Sequence, residues 1–217
     1  KTQIPNLKPQ GELILEFGLW NLGFVANLRH LHMQFDSLKT LVFEQLEKRL
    51  HSTLYYHGVH HTHYVYNAAL KIADHEKVSG DDHTLLMTAV ILHDYGFIET
   101  YQDHEDKGCE IAQRILPEFN YNQQQIDQIC AMILRTKIPQ IAFNKLEEII
   151  CDADLDYLGT DDFLPMGNQL FKEFLHYGVV KDEEGWNRLQ LKFLVAHQYF
   201  TGYAKKYREA KKQENLK

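Results

Sequence analysis

A chain of 217 residues with 44% hydrophobic content is long enough to bury one sizeable core. Its net charge of −7 argues against the broad basic surface that a nucleic-acid polymer or an anionic membrane requires, and so favours a small partner. Three cysteines, an odd number with no C-x-x-C spacing, argue against a disulfide framework and fit a reducing cytoplasm.

Residues 1 to 11, with Pro5, Pro9 and Gly11, read as an extended arm, and 12 to 29 as short helices. The apolar run Leu13 to Leu28 is broken by Glu16 and two glycines, is too short for a membrane span, and lacks the flanks of a signal peptide. From Asp36, with Asp36 or Ser37 as cap, Leu38, Leu41, Val42, Leu46 and Leu50 predict an amphipathic helix. His61, Val65, Ala68, Ala69 and Ile72 predict a second helix to about Asp74, with His61 opening its buried face. Ser79-Gly80-Asp81-Asp82 caps a third, which carries Leu85, Ala89 and Leu92 and ends at His93-Asp94, where Gly96 is available to stop it in the left-handed conformation.

Helical spacing continues from about Glu105 to Leu116, stopped by Pro117, from Gln124 to Leu134, closed by Pro139, and from Leu146 into Asp152-Ala153-Asp154-Leu155-Asp156. Two further helical patterns lie between Asp161 and Tyr207, separated by Gly178 to Gly185, and the charged run Lys205 to Lys217 is expected to fray into solvent. No stretch alternates with period two, so the fold class is all-α, a single domain of eight to ten helices.

Thirteen histidines are the oddity of the composition, and His57, His60, His61 and His63 fall within seven residues. Ionisable groups on apolar helix faces are costly unless paired or metal-bound. His61, His93, Asp94 and Asp154 are such groups, and two imidazoles with two carboxylates suit a divalent cation that keeps positions for water and a substrate oxygen. Far apart in sequence, they converge only if several helices pack around one point. A His-Asp pair at a helix end is, taken alone, more readily a hydrogen-bonded structural pair.

Three motifs in order change that balance. Tyr56-His57-x-x-x-His61-Thr62-x-x-Val65, then Ala89-Val90-Ile91-Leu92-His93-Asp94-Tyr95-Gly96, then Ile150-Cys151-Asp152-Ala153-Asp154-Leu155-Asp156 resemble the HD superfamily of metal-dependent phosphohydrolases. The resemblance implies an HD metal-binding core over residues 36–160, with an arm and short helices at 1–35 and further helices packing on the core at 161–217. It implies His61, His93, Asp94 and Asp154 as ligands of one divalent ion, whether Mn, Fe, Ni, Mg or Zn, with Asp152 the alternative to Asp154.

The implied activity is hydrolysis of a phosphomonoester or phosphodiester, frequently of a nucleotide, by a metal-activated water that Asp94 helps orient. Where many members carry Lys or Glu three residues after the paired Asp, this chain has Phe97, which makes Glu99 and Lys107 candidates for acid/base or phosphate-binding roles. His104 is a candidate to protonate the leaving group, Thr136 stands where two-metal members have a further His, and Arg135 and Lys137 are candidate phosphate holders. Asp152 and Asp156 read as helix-surface or ligand-orienting acids, and Tyr101, Trp186 and Tyr199 as core aromatics that could stack on a base. The expected partner is a small phosphorylated substrate, with no nucleic-acid polymer and no membrane, and a homodimer is compatible. The alternatives are a non-catalytic module of the same fold that binds a nucleotide or a protein, and a histidine cluster that stores metal.

Overall fold

A computed structural model describes residues 32–217, so the expectations for the N-terminal arm and for the run Leu13 to Leu28 lie outside the described residues. Within the described residues ten α-helices follow one another: α1 Phe35–Arg49, α2 Val59–His75, α3 Gly80–Leu92, α4 His104–Ile115, α5 Gln123–Arg135, α6 Lys145–Asp154, α7 Phe163–His176, α8 Glu183–Ala196, α9 Gly202–Tyr207 and α10 Glu209–Asn215. Short 3-10 turns occupy Tyr95–Ile98, Leu116–Phe119 and Asp156–Gly159. The described residues contain no strand, and none of their helices is long and apolar enough to cross a membrane.

The organising element is α3. Eight consecutive residues, Leu85 to Leu92, are buried on every side of the helix rather than along one stripe. A helix that is apolar all round must be enclosed by others, and α1, α2, α5 and α6 enclose this one. Its apolar length ends at His93-Asp94, so the chain is forced to deliver an imidazole and a carboxylate into the middle of the bundle. The flanking helices are amphipathic: Leu38, Val42 and Leu46 of α1, Val65, Ala69 and Ile72 of α2, and Ile126, Ile129 and Ile133 of α5 face the common core. Asn122 starts α5 in a reciprocal capping box with Gln125.

Three local expectations are corrected. Helix α1 begins one residue before Asp36, so neither Asp36 nor Ser37 caps it, and Asp36 instead sits in the first turn, where its charge opposes the helix dipole. Asp152 and Asp156 are buried anchors rather than surface acids. Asp152 accepts hydrogen bonds from the Phe200 and Thr201 amides and from the Thr201 hydroxyl, at 2.9, 2.7 and 2.7 Å, and Asp156 accepts from Arg208 Nε at 2.7 Å.

Those anchors explain the third correction. The tail from Lys205 does not fray but forms α9 and α10, because its charges find partners on the core. Lys212 is 2% exposed and donates to the His197 carbonyl at 2.7 Å, while Asn215 donates to the Leu158 carbonyl at 2.9 Å. Cys109, Cys130 and Cys151 are free and buried.

Candidate metal centre

Three helix ends meet below the C-terminus of α3. His61 lies in the first turn of α2, His93 caps α3, and Asp154 is the last residue of α6. Both imidazoles are fully buried. Among the described residues, His61, His93 and Asp154 form the group able to offer a metal three ligand atoms, all within 4.8 Å of one another. Asp94 joins them: its Oδ2 lies 3.4 Å from His61 Nε2 and 3.2 Å from His93 Nε2. The two Nε2 atoms are 3.4 Å apart, and Asp154 Oδ1 is 3.2 and 3.7 Å from them.

The surroundings aim these atoms inward. His93 Nδ1 donates to the Val90 carbonyl at 2.7 Å, which fixes a proton on Nδ1 and turns Nε2 to face the centre. Gln140 Nε2 donates to Asp154 Oδ2 at 3.0 Å, leaving Oδ1 to face the imidazoles, and Tyr56 packs against His61 with ring centroids 4.5 Å apart. Buried Asp94 Oδ2 receives no hydrogen bond at all, although a desolvated carboxylate oxygen is costly to leave without a partner.

These features fit a divalent ion. Donor atoms that share one ion at bond lengths of about 2.1 Å stand roughly 3 to 4 Å apart. The orphaned oxygen would gain a ligand bond, and the mixed nitrogen and oxygen set suits borderline divalent metals. The electrostatics agree. Burial opposes a charge on His93, yet the Asp94 and Asp154 carboxylates overcome it and hold its pKa up to about 9. For His61 burial prevails and the pKa falls, against the pull of Asp154 and Asp94. Burial also opposes the charge on Asp94, but His93 and His104 keep its carboxyl well below the usual range. Two carboxylates beside two imidazoles draw positive charge, a demand that a divalent cation meets more fully than a proton.

A second rank of side chains faces the same point. His104, the first residue of α4, places Nε2 3.4 Å from Asp94 Oδ1 and 3.5 Å from Glu105 Oε1. Phe97, where the motif comparison led to an expectation of Lys or Glu, is a platform between two imidazoles: its ring stacks on His104 at 3.8 Å and on His57 at 4.5 Å. His57 is tied by Nδ1 to Glu173 Oε1 at 2.5 Å, and Glu173 Oε2 accepts from the Tyr56 and His57 amides at 2.9 and 3.1 Å. Glu173, 0% exposed on α7, lay beyond the reach of sequence reasoning, because its partner is more than a hundred residues away and nothing local marks it.

Gly96 has a different purpose from the one its sequence position suggests. Its φ is not left-handed, unlike those of Gly80 and Gly178. A Cβ there would instead lie 1.8 Å from the His104 carbonyl oxygen and 2.8 Å from the Gly108 nitrogen, so a glycine is needed for α4 to close against the turn and bring His104 to Asp94.

The structure brings His61, His93, Asp94, Asp154 and His104 together and leaves four expected residues elsewhere. Glu99 pairs with Arg114 at 3.4 Å and Arg49 at 4.0 Å, Lys107 pairs with Glu110, and Lys137 with Asp106. Arg135 lies 3.5 Å from the Glu147 carboxylate and covers the Phe143 ring. Each has a partner of opposite charge outside the cleft, and none lines it. Thr136 does line the cleft, as does Trp186, whereas Tyr101 stacks on Tyr177 at 3.6 Å and Tyr199 is buried. His60 bonds to Gln169 and His63 stacks on Phe43, both away from the centre.

The His57–Glu173 pair yields a pH-dependent prediction. Burial depresses the His57 pKa, but the Glu173 bond and Asp94 raise it above the usual 6.5, and His57 lowers that of Glu173 below 4.5 against its own burial. A raised histidine pKa gives stability that is lost as pH rises, and a lowered carboxyl pKa gives stability that is lost as pH falls. The pair therefore stabilises most between about pH 4.5 and 6.5. Glu173→Gln is expected to cost roughly 2 to 4 kcal/mol in urea unfolding at pH 5.5, with the deficit narrowing by pH 9. A deficit independent of pH would show that the ion pair contributes nothing.

A search of the curated proteins and one of the solved structures each return no match. A family model does match: that of the HD domain, over residues 58–156, a span that contains His61, His93, Asp94, His104 and Asp154 and stops short of Glu173, α7 and α8. The ordered motifs, the all-helical bundle and the His/Asp cluster agree with that match: residues 58–156 match the HD domain model, consistent with the HD superfamily of metal-dependent phosphohydrolases.

Proposed function

We propose that the protein is a metal-dependent phosphohydrolase that cleaves a small phosphate ester, with one divalent ion held by His61, His93, Asp94 and Asp154. The observation that carries this reading is the buried Asp94 Oδ2, which has no hydrogen bond and faces His61 Nε2 and His93 Nε2 at 3.4 and 3.2 Å. When bound there, a divalent ion lowers the pKa of a coordinated water and offsets the charge of the phosphoryl oxygens.

The chain's own groups do the rest. Val90 and Gln140 fix the orientations of His93 and Asp154, so little reorganisation accompanies reaction. Asp94 orients the attacking water. As the new phosphorus–oxygen bond forms, the ester bond breaks with its electron pair going to the leaving oxygen, and protonated His104 supplies that oxygen with a proton. The proton released by the water returns to His104 across Asp94 Oδ1, 3.4 Å away, so the products are an alcohol and a phosphate. Phe97 holds the His104 ring flat for that transfer.

The test is to strip the full chain of metal, reload it with Mn, Fe, Ni, Mg or Zn in turn, and assay aryl phosphate monoesters and diesters. One ion per chain with turnover is expected. One ion per chain without turnover of any ester would overturn the enzymatic reading in favour of a binding module, and several weakly held ions would favour metal storage.

A further inference from the structure

The cleft over the metal centre has a volume of about 370 Å³, and only one end of it is polar. That end is made by Asp94, Asp154, His57, His104, Glu105 and Thr136. The remainder runs between α7 and α8 and is walled by carbon, chiefly Leu155, Leu158, Leu170, Phe174, Trp186 and Phe193. Among the described residues, Gln190 is the one amide side chain there, and no lysine or arginine lines the cleft. A second hollow of about 590 Å³ shares Ile138, Leu155, Leu189 and Phe193 with the first, so the apolar surface continues beyond it. The cation on its walls, Lys192, belongs to that far hollow.

Charge and chemistry narrow the substrate. The ion's two positive charges are already offset by Asp94 and Asp154, and among the described residues the cleft lining adds Glu105 but no lysine or arginine, so the site favours the fewest negative charges on its substrate, a single phosphate group rather than a di- or triphosphate. A nucleobase and ribose need several converging donors and acceptors, and beyond the metal centre the lining offers the Gln190 amide and the Tyr56 and Tyr157 hydroxyls among otherwise carbon-walled aliphatic and aromatic side chains. Helices α7 and α8 lie outside the matched HD domain, so this wall is a feature of the present chain rather than of the matched segment.

We propose that the substrate is a single phosphate group esterified to an extended, uncharged apolar group, an alkyl or isoprenoid chain, which lies against Leu170, Phe174, Trp186 and Phe193 while the phosphate meets the metal centre. The inference rests on the phosphohydrolase reading. Burying the chain supplies binding energy remote from the reacting bond and expels water from the cleft, which strengthens the electrostatics at the phosphoryl group. The apolar rim at Leu189, Val179 and Ile138, respectively 39%, 50% and 58% exposed, is where such a chain would enter.

The experiment measures binding of methyl-, butyl- and octylphosphonate, which have no ester bond to cleave, of the 1-alkanols of the same chain lengths, and of adenosine 5′-monophosphate. It uses the metal-loaded full chain, calorimetry and Trp186 fluorescence. Affinity is expected to rise roughly two- to fourfold per methylene, octylphosphonate to exceed the nucleotide, and Leu189→Gln to weaken octylphosphonate about five- to tenfold with methylphosphonate unchanged. Metal-dependent binding that is flat across chain length, or tighter for the nucleotide, overturns the apolar-substrate inference and leaves the phosphohydrolase reading standing. Chain-length-dependent binding of 1-alkanols, with no metal-dependent binding of any phosphonate, overturns the phosphohydrolase reading instead. Binding of neither class overturns both.

Discussion

Replacing His93 with alanine is expected to release the bound ion and to lower turnover by at least about a thousandfold, or roughly 4 kcal/mol of transition-state stabilisation, while the helical fold survives. His93 is fully buried, and its Nε2 lies within 3.7 Å of His61 Nε2, Asp94 Oδ2 and Asp154 Oδ1, so its loss breaks every arrangement in which four donors share one ion. The truncation also leaves a cavity under α3, at a cost of about 2 to 4 kcal/mol, and removes the nearest cation from Asp94 and Asp154. Thermal unfolding separates this from simple loss of packing. An ion that binds only the folded chain adds RT ln(1 + [ion]/Kd), about 4 kcal/mol at a thousandfold excess over Kd, so the wild-type midpoint should climb with metal and the variant's should not. A variant that retained one ion per chain and turned over esters would refute the centre.

Gly96→Ala is expected to be the most damaging single methyl group in the bundle. The new Cβ would meet the His104 carbonyl oxygen at 1.8 Å, its carbonyl carbon at 2.7 Å and the Gly108 nitrogen at 2.8 Å. All three are backbone atoms, so no rotamer change relieves the clash, and the N-terminus of α4 must retreat by more than about 1 Å. The stability loss should be about 3 kcal/mol or more. His104 rides on the displaced backbone and would move away from Asp94 Oδ1 and the Phe97 face, so turnover should fall by about a hundredfold. Ion stoichiometry should stay near one, since His61, His93 and Asp154 belong to α2, α3 and α6. Metal content and turnover measured on one preparation test this, and a variant with wild-type turnover would show that His104 has no part in the reaction.

The two variants mark the boundary between what is written locally and what is not. His93-Asp94 stood out because an apolar run ends in it, and period-3.6 spacing placed α1 to α6 within a residue or two. The roles of the cations were illegible for the opposite reason. Lys107, Arg135 and Lys137 look like phosphate binders in a string of letters, yet whether a cation is free to bind phosphate depends on which carboxylate folds beside it, and Glu110, Glu147 and Asp106 settled that. Gly96 was noticed for a conformation it does not adopt, because the backbone that crowds it comes from a later helix.

By itself the sequence determined the all-helical class and the positions of the core helices, and it marked His61, His93, Asp94 and Asp154 as ionisable groups on apolar helix faces, since each follows from the periodicity of side chains along a single element. Only the tertiary structure decided that Asp152 and Asp156 anchor the C-terminal helices while Asp154, between them, faces His61 and His93. It alone placed Glu173 behind His57 and Trp186 in the cleft wall. Three acids at alternate positions point in different directions where α6 ends, and which direction holds the imidazoles is a matter of how helices pack, a property that no local pattern carries.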